Sequence, residues 1–204
     1  MNADTTFTPA LSAQLRALAS EFAEARQRAH RVAAGLPAEI WTLRPEPGRW
    51  SIAEQILHLN LASHAYLPVI DEAIARGRDS GTFGYGPYRR DFIGWMLARL
   101  VEPPVRLRVK TRDQFVPVHL APPAEALRDF DRWQDRFAAA LQSAAGLALD
   151  RIEVASPYDP CLRLNLYSFL RTIPAHQRHH LWIAERIRTE LKPQPEPRSL
   201  EVAR

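Results

Sequence analysis

Residues 173–183 read Ile-Pro-Ala-His-Gln-Arg-His-His-Leu-Trp-Ile. Wound as a helix, at roughly 100° per residue, Leu166, Phe169, Ile173, His176, His180, Ile183, Ala184 and Ile187 fall on one stripe. Arg171, Arg178, Glu185 and Arg186 fall on the opposite side. Two histidines four apart therefore sit in the middle of an apolar face. Imidazoles at that spacing stack one turn apart and can aim at a common point, which is the geometry of a two-histidine metal half-site. His179 lies off the stripe. A single histidine on an apolar face is more often a core residue with one satisfied hydrogen bond. The pair gains force only with a third ligand elsewhere, because catalytic metal sites commonly use three protein ligands and keep one position open.

The third imidazole is found early in the chain. Ser51-Ile52-Ala53-Glu54 fits the S-x-x-E capping box, with Ser51 as N-cap and Glu54 at the third helical position. The run that follows, Ile56, Leu57, His58, Leu59, Leu61, Ala62, Ala65 and Tyr66, is apolar around most of its circumference and predicts the most buried helix. His58 is embedded in it. Glu54 lies one turn before His58. It can cap the helix, orient His58 or bind metal itself, and capping fits the sequence best. His64 is on another face. Trp50, just before the cap, is expected to be a packed anchor.

Composition narrows the classes. With 204 residues, 46% of them hydrophobic and 25% charged, the chain is expected to form one soluble domain over residues 1–204, its core at about 10–192 between loose tails at 1–8 and 193–204. No apolar run approaches the ~20 residues needed to span a bilayer. The first residues show no basic and apolar leader, so a cytoplasmic location is expected, with no membrane partner. The net charge of +4 is spread along the chain and interrupted by acids, so no nucleic-acid partner is indicated. Cys161 is the only cysteine. It allows no internal disulfide, and it reads as a small buried residue.

The remaining elements follow from periodicity. Leu11, Leu15, Leu18, Phe22, Ala25, Ala29 and Val32 predict a helix from Pro9 to about Gly35, with His30 solvated near its end. Residues 36–50 read as a proline-rich loop. Pro68 is expected to kink or interrupt the helix that begins at Ser51 and runs to about Arg76. The stretch from Gly77 to Pro87 is turn-rich and reads as a lid or a plain connection. A short helix follows over Tyr88 to Leu100, with Phe92, Trp95, Met96 and Leu100 apolar. Prolines exclude a helix over 101–123. Val105 to Lys110 alternates as an extended segment, and Arg106, Arg108, Lys110 and Arg112 form either a basic rim or a solvated face. His119 is placed by no helix. Another helix is predicted at about 123–145, striped by Leu127, Phe130, Trp133 or Gln134, Phe137, Leu141 and Ala144, and ended by Gly146. Leu147 to Pro160 reads as a loop. The last helix runs from about Leu162 to Lys192, with Pro174 kinking it or opening a new first turn. The expected fold class is all-α: a four-helix bundle with long crossover loops plus a short extra helix.

With Trp50-Ser-Ile-Ala-Glu-Gln-Ile-Leu-His58-Leu and His176-x-x-x-His180 both placed, roughly residues 10–190 resemble the DinB/YfiT-like superfamily. That group pairs a W-S-x-x-E-x-x-x-H-L helix start with an H-x-x-x-H in its last helix. The resemblance implies a four-helix bundle holding a divalent metal ion on His58, His176 and His180. Nickel or zinc is the first expectation, with iron, manganese or cobalt as alternatives. It also implies a homodimer. The superfamily includes thiol S-transferases and an isomerase that use low-molecular-weight thiols, together with metal-dependent hydrolases. One departure stands out: Gln177 follows His176 where related sequences often carry Glu. It removes the general base of an H-E-x-x-H protease, which excludes that class.

The expected function is a metal-dependent enzyme, a thiol S-transferase or a hydrolase, acting on a small-molecule substrate with a thiol or water activated at the three-histidine site. The alternatives are a non-catalytic metal- or ligand-binding dimeric bundle, and a structural domain with histidines in its core. No residue is forced into the general-base role. Glu54, Tyr85 and Tyr88 are the candidates.

Overall fold

Helix starts and stops obey the local chemistry of the chain. The computed structural model describes residues 10–104 and 111–191. Ser12 accepts from the Leu15 amide and opens α1 (Ala13–Ala33). Gly35, at φ 67°, turns the chain beyond it. The capping box forms as expected: Glu54 N donates to Ser51 Oγ and Ser51 N to Glu54 Oε2, opening α3 (Ile52–Asp79). Before it, α2 (Ala38–Thr42) is a five-residue helix inside the proline-rich segment that reads as loop. Its Trp41 is 1% exposed and donates to the Ala121 carbonyl. Burial of that one indole gives the short helix its reason to exist, since five residues cannot sustain a helix alone.

Asp91 caps α4 (Phe92–Val101), prolines 122 and 123 open α5 (Pro123–Ala144), and Asn165 caps α6 (Leu166–Glu190). Prolines 68 and 174 interrupt neither helix. Each removes one helical hydrogen bond, and buried neighbours on both sides, Leu67 with Ile70 and Ile173 with Ala175, hold the turn in place. The 147–160 loop contains a strand, β1 (Glu153–Ala155), paired antiparallel with β2 (Arg163–Asn165), with Val154 opposite Leu164. Cys161 sits at the turn of this hairpin and is exposed, not buried. Asp159 accepts from its amide, so the chain reverses there with the thiol pointing outward.

The four long helices form a ring. Gln14 bonds Tyr167 and Arg28 bonds Glu185, so α1 and α6 run parallel. Asn60 bonds Ala126 and Arg78 bonds Ser143, so α3 and α5 run parallel too. Phe22 on Phe137 with Arg26 on Asp131 makes α1 and α5 antiparallel. Gln55 on His180 with Tyr66 on Phe169 makes α3 and α6 antiparallel. A parallel pair needs a connection that returns along the bundle. Residues 80–122 supply it between α3 and α5, and α4 lies within it across α6. Among the described residues no helix is long and apolar enough to cross a membrane.

The core divides into two apolar clusters along the bundle. One gathers Phe22, Ile70, Phe137 and Leu170, the other Ala29, Ile56, Phe130 and Leu181. Between them Gln134 of α5 and Gln177 of α6 meet across the bundle, 2% and 1% exposed, with Gln177 Nε2 donating to Gln134 Oε1. Gln134 is therefore the inward residue of the Trp133/Gln134 alternative. Trp133 lies instead beside His64, with Arg132 over its ring. His30 is exposed and pairs with Asp131 of α5. Residues 105–110, expected to be extended and carrying Arg106, Arg108 and Lys110, and the two tails lie outside the described residues; Arg112 is exposed.

The turn-rich stretch is a plain connection. Gly77 belongs to α3, Gly84 N bonds Gly146 O and Ala148 N bonds Thr82 O. It sits at the far end of α3 from His58, roughly 30 Å along the helix at ~1.5 Å per residue. A tighter contact seats α4. A Cβ on Gly94 would lie 2.3 Å from Ser168 Cβ, and Ser168 is fully buried. Gly94→Ala is expected to cost about 1–3 kcal/mol by overpacking. Urea unfolding checks this as a lowered midpoint with an unchanged slope; an unchanged midpoint would contradict the close approach.

Candidate metal centre

His58 on α3 and His176 with His180 on α6 come together although 118 residues separate the first from the second. Their ligating nitrogens all lie within 4.8 Å of one another. Ring centroids stand 5.1 Å apart for His58 and His176, 4.4 Å for His58 and His180, and 4.6 Å for His176 and His180. No acid or thiol among the described residues joins the group.

The outer nitrogen of each ring is engaged by its own partner, two of them on α3 and one from the segment before α5. His58 Nδ1 donates to the Phe115 carbonyl at 2.8 Å. His180 Nδ1 meets Gln55 Oε1 at 2.6 Å. His176 Nδ1 faces the Tyr66 hydroxyl at 3.4 Å, and the Tyr66 and Tyr158 hydroxyls share a hydrogen bond at 3.1 Å, in which either can be the donor. A carbonyl can only accept, so His58 carries its proton on Nδ1 and turns the Nε2 lone pair inward. His58 Nε2 and His176 Nε2 face each other at 3.2 Å. Two lone pairs at that distance repel unless a proton or a cation lies between them. This donor set is what a divalent ion of borderline softness takes, and hydrogen-bonded outer nitrogens are the usual companions of metal-bound imidazoles. The three histidines could hold a metal ion.

Burial keeps these rings neutral. Desolvation pushes His58 down to about 4, partly opposed by its bond to Phe115. Desolvation and the neighbouring imidazoles push His176 and His180 well below the ordinary value. Neutral imidazole is the form that binds metal. His58 is 3% and His180 8% exposed, while His176 is half-buried and reachable from solvent. Trp50 covers the other side, its ring 5.2 Å from His58 and 6.3 Å from His180.

Several expected residues take other places. Glu54 is a structural residue: Arg44 grips both its oxygens and the cap takes what remains. Burial works to raise its carboxyl, but the bonds from Arg44 and Ser51 outweigh burial and hold it below the usual range. Tyr85 is exposed, and Tyr88 packs on Tyr167 and bonds Gln14; neither reaches the histidines. His179 bonds the Val101 carbonyl and ties α6 to the end of α4. His119 is exposed. Gln177 points to Gln134, so a carboxylate at that position would face the bundle interior. The residues that sequence reasoning missed are Gln55, Tyr66, Phe115 and Tyr158. Gln55 and Tyr66 carry a weak signal, as polar groups on the buried helix of His58. Phe115 acts through its backbone and Tyr158 from a loop, and neither leaves a periodic trace.

A family model described as DinB superfamily matches residues 21–184. The chain belongs to the DinB superfamily. No curated protein and no solved structure matches it. The matched span of this DinB-superfamily chain contains all three histidines and the capping box before His58.

Neutral buried histidines make stability depend on pH. Unfolded His58 titrates near the ordinary 6.5 and folded His58 near 4, so the unfolded chain binds more protons between those values. Stability of metal-stripped protein is expected to be full above 6.5 and to fall as the pH drops towards 4, with about 3 kcal/mol from His58 alone. Denaturant titrations across that window check it, and a flat profile would contradict the burial of neutral rings.

Proposed function

We propose that this protein is a divalent-metal-dependent enzyme in which Nε2 of His58, His176 and His180 hold the ion and a thiol or a water is the nucleophile. Thiol S-transfer and hydrolysis are the two reactions within this reading. The observation that carries it is the convergence of three inward nitrogens on rings whose outer nitrogens are each engaged by a separate partner, Phe115, Gln55 or Tyr66. When bound, the ion would supply the positive charge that makes a thiol or water nucleophilic near neutral pH.

The protein's own residues set the conditions. Three neutral imidazoles leave the charge of an ion uncompensated, so an anionic nucleophile is favoured. Trp50 walls the site against water on one side. Half-buried His176 marks the side from which a small substrate enters. The hydroxyl of Tyr158 reaches the histidines through Tyr66, whereas Glu54 is committed to its cap. Nickel and zinc are the first candidates for the ion, with iron, manganese and cobalt as alternatives. The rest of the proposal is a low-molecular-weight thiol as co-substrate, a homodimer and a cytoplasmic setting, without nucleic-acid or membrane partners. The deep burial of His58 and His180 favours the second reading, a non-catalytic metal- or ligand-binding dimeric bundle with a closed coordination shell.

Elemental analysis of untagged protein is expected to find about one divalent ion per chain and none in the His58→Ala, His176→Ala double variant. No metal after incubation with nickel, zinc and manganese would sink the centre. Cobalt-loaded protein separates the two readings. A visible spectrum that shifts when a small thiol is added supports an open position, and an unresponsive spectrum supports the closed bundle. Sedimentation is expected to give twice the monomer mass of 23.2 kDa; a monomer at micromolar concentration would remove the dimer.

A further inference from the structure

Tyr66 and Tyr158 belong to no catalytic expectation, yet they extend the histidine cluster into a continuous chain of hydrogen bonds. The order is Phe115 O, His58, His176, Tyr66, Tyr158. Each internal link joins groups that can both give and take a proton. Tyr66 is 6% exposed and Tyr158, packed on Phe115 at 4.2 Å between centroids, is half-buried at the outer end.

We propose that this chain reverses its direction when the metal site fills, with Tyr158 as the port through which the proton enters. The inference rests on the metal reading above. The Phe115 carbonyl fixes the His58 proton on Nδ1, so without an ion the close His58–His176 contact needs the proton of His176 on Nε2. His176 Nδ1 then accepts from Tyr66, and Tyr66 accepts from Tyr158. With an ion, His176 Nε2 must be bare. Its proton leaves to solvent, the Tyr66 proton passes to His176 Nδ1, the Tyr158 proton passes to Tyr66, and Tyr158 takes one from solvent. One proton leaves and one enters, so the net charge of the chain is unchanged. His176 Nδ1 now donates to Tyr66, Tyr66 donates to Tyr158, and the Tyr158 hydroxyl proton turns outward. Burial supports hydroxyls that stay protonated throughout: it raises Tyr66 well above its ordinary value and pushes Tyr158 up to about 12.

The two tyrosines are therefore positioning residues for His176, and Tyr158 acts on it through Tyr66. Replacing Tyr158 by Phe leaves Tyr66 its metal-free partner, His176, but removes its acceptor in the loaded direction. That biases the site against the ion, although the Tyr158 and His176 ring centroids lie 6.4 Å apart and no hydrogen bond joins them.

Nitrogen NMR of histidine-labelled wild-type protein, with zinc as the probe ion, tests this. The expected result is His176 protonated on Nε2 without zinc and on Nδ1 with zinc. Zinc affinity is expected to fall roughly three- to ten-fold in Tyr158→Phe and about ten-fold or more in Tyr66→Phe. His176 protonated on Nδ1 without zinc, or an unchanged affinity in a folded Tyr158→Phe protein, overturns the reversal alone. Absence of zinc binding to the wild type overturns the metal centre and the reversal with it. The wild-type tautomers decide the matter even if a variant does not fold.

Discussion

A buried imidazole has two nitrogens to satisfy, and this structure is arranged around satisfying three such rings from outside. The Phe115 carbonyl, the Gln55 amide and the Tyr66 hydroxyl come from a single 3-10 turn (Asp113–Phe115), from the first turns of α3 and from its middle. Each takes an outer nitrogen, so every inner nitrogen is left facing the same small volume. That requirement explains features which otherwise look unrelated. The chain between α4 and α5 must come back to the histidines, because Phe115 sits in it. The start of α3 must be accurate to a fraction of a turn, because Gln55 and His58 both depend on its phase, and a capping box held by Arg44 sets that phase.

Polar commitments elsewhere serve the same rigidity. Arg178 spans Glu21 of α1 and Glu102 at the end of α4, on the side of α6 away from the histidines. His179 bonds Val101 from the next position. The outer surface of α6 is thus held while its inner surface presents His176 and His180. The glutamine pair at the bundle centre separates two apolar clusters and would lose its one mutual hydrogen bond under a slip of α5 against α6.

The parts of this architecture legible in the sequence are those written as local spacing. The S-x-x-E box, the four-residue step between His176 and His180, and the apolar stripes of the long helices identified the bundle and brought the three histidines together. The structure gathers the same three histidines that the resemblance singles out. What stayed hidden depends on tertiary contact. Trp41 makes a helix out of five loop residues only because Ala121 waits for its indole. The hairpin that exposes Cys161 consists of strands three residues long, too short for an alternating pattern to register. Tyr85 and Tyr88 are drawn in by the turn-rich stretch that reads as a lid, whereas Tyr66 is simply one more large residue on a buried helix until its hydroxyl is seen beside His176.

His58 and His176 lie 118 residues apart in the chain, and this separation has a mechanical side. An ion held by both would close a loop of more than half the polypeptide. In chain-entropy terms a cross-link over that length restricts the unfolded coil by about 4 to 5 kcal/mol, in the range of a long-loop disulfide. The same three rings would then serve as a clasp between the front and back of the polypeptide, in a protein whose only cysteine leaves it no covalent one.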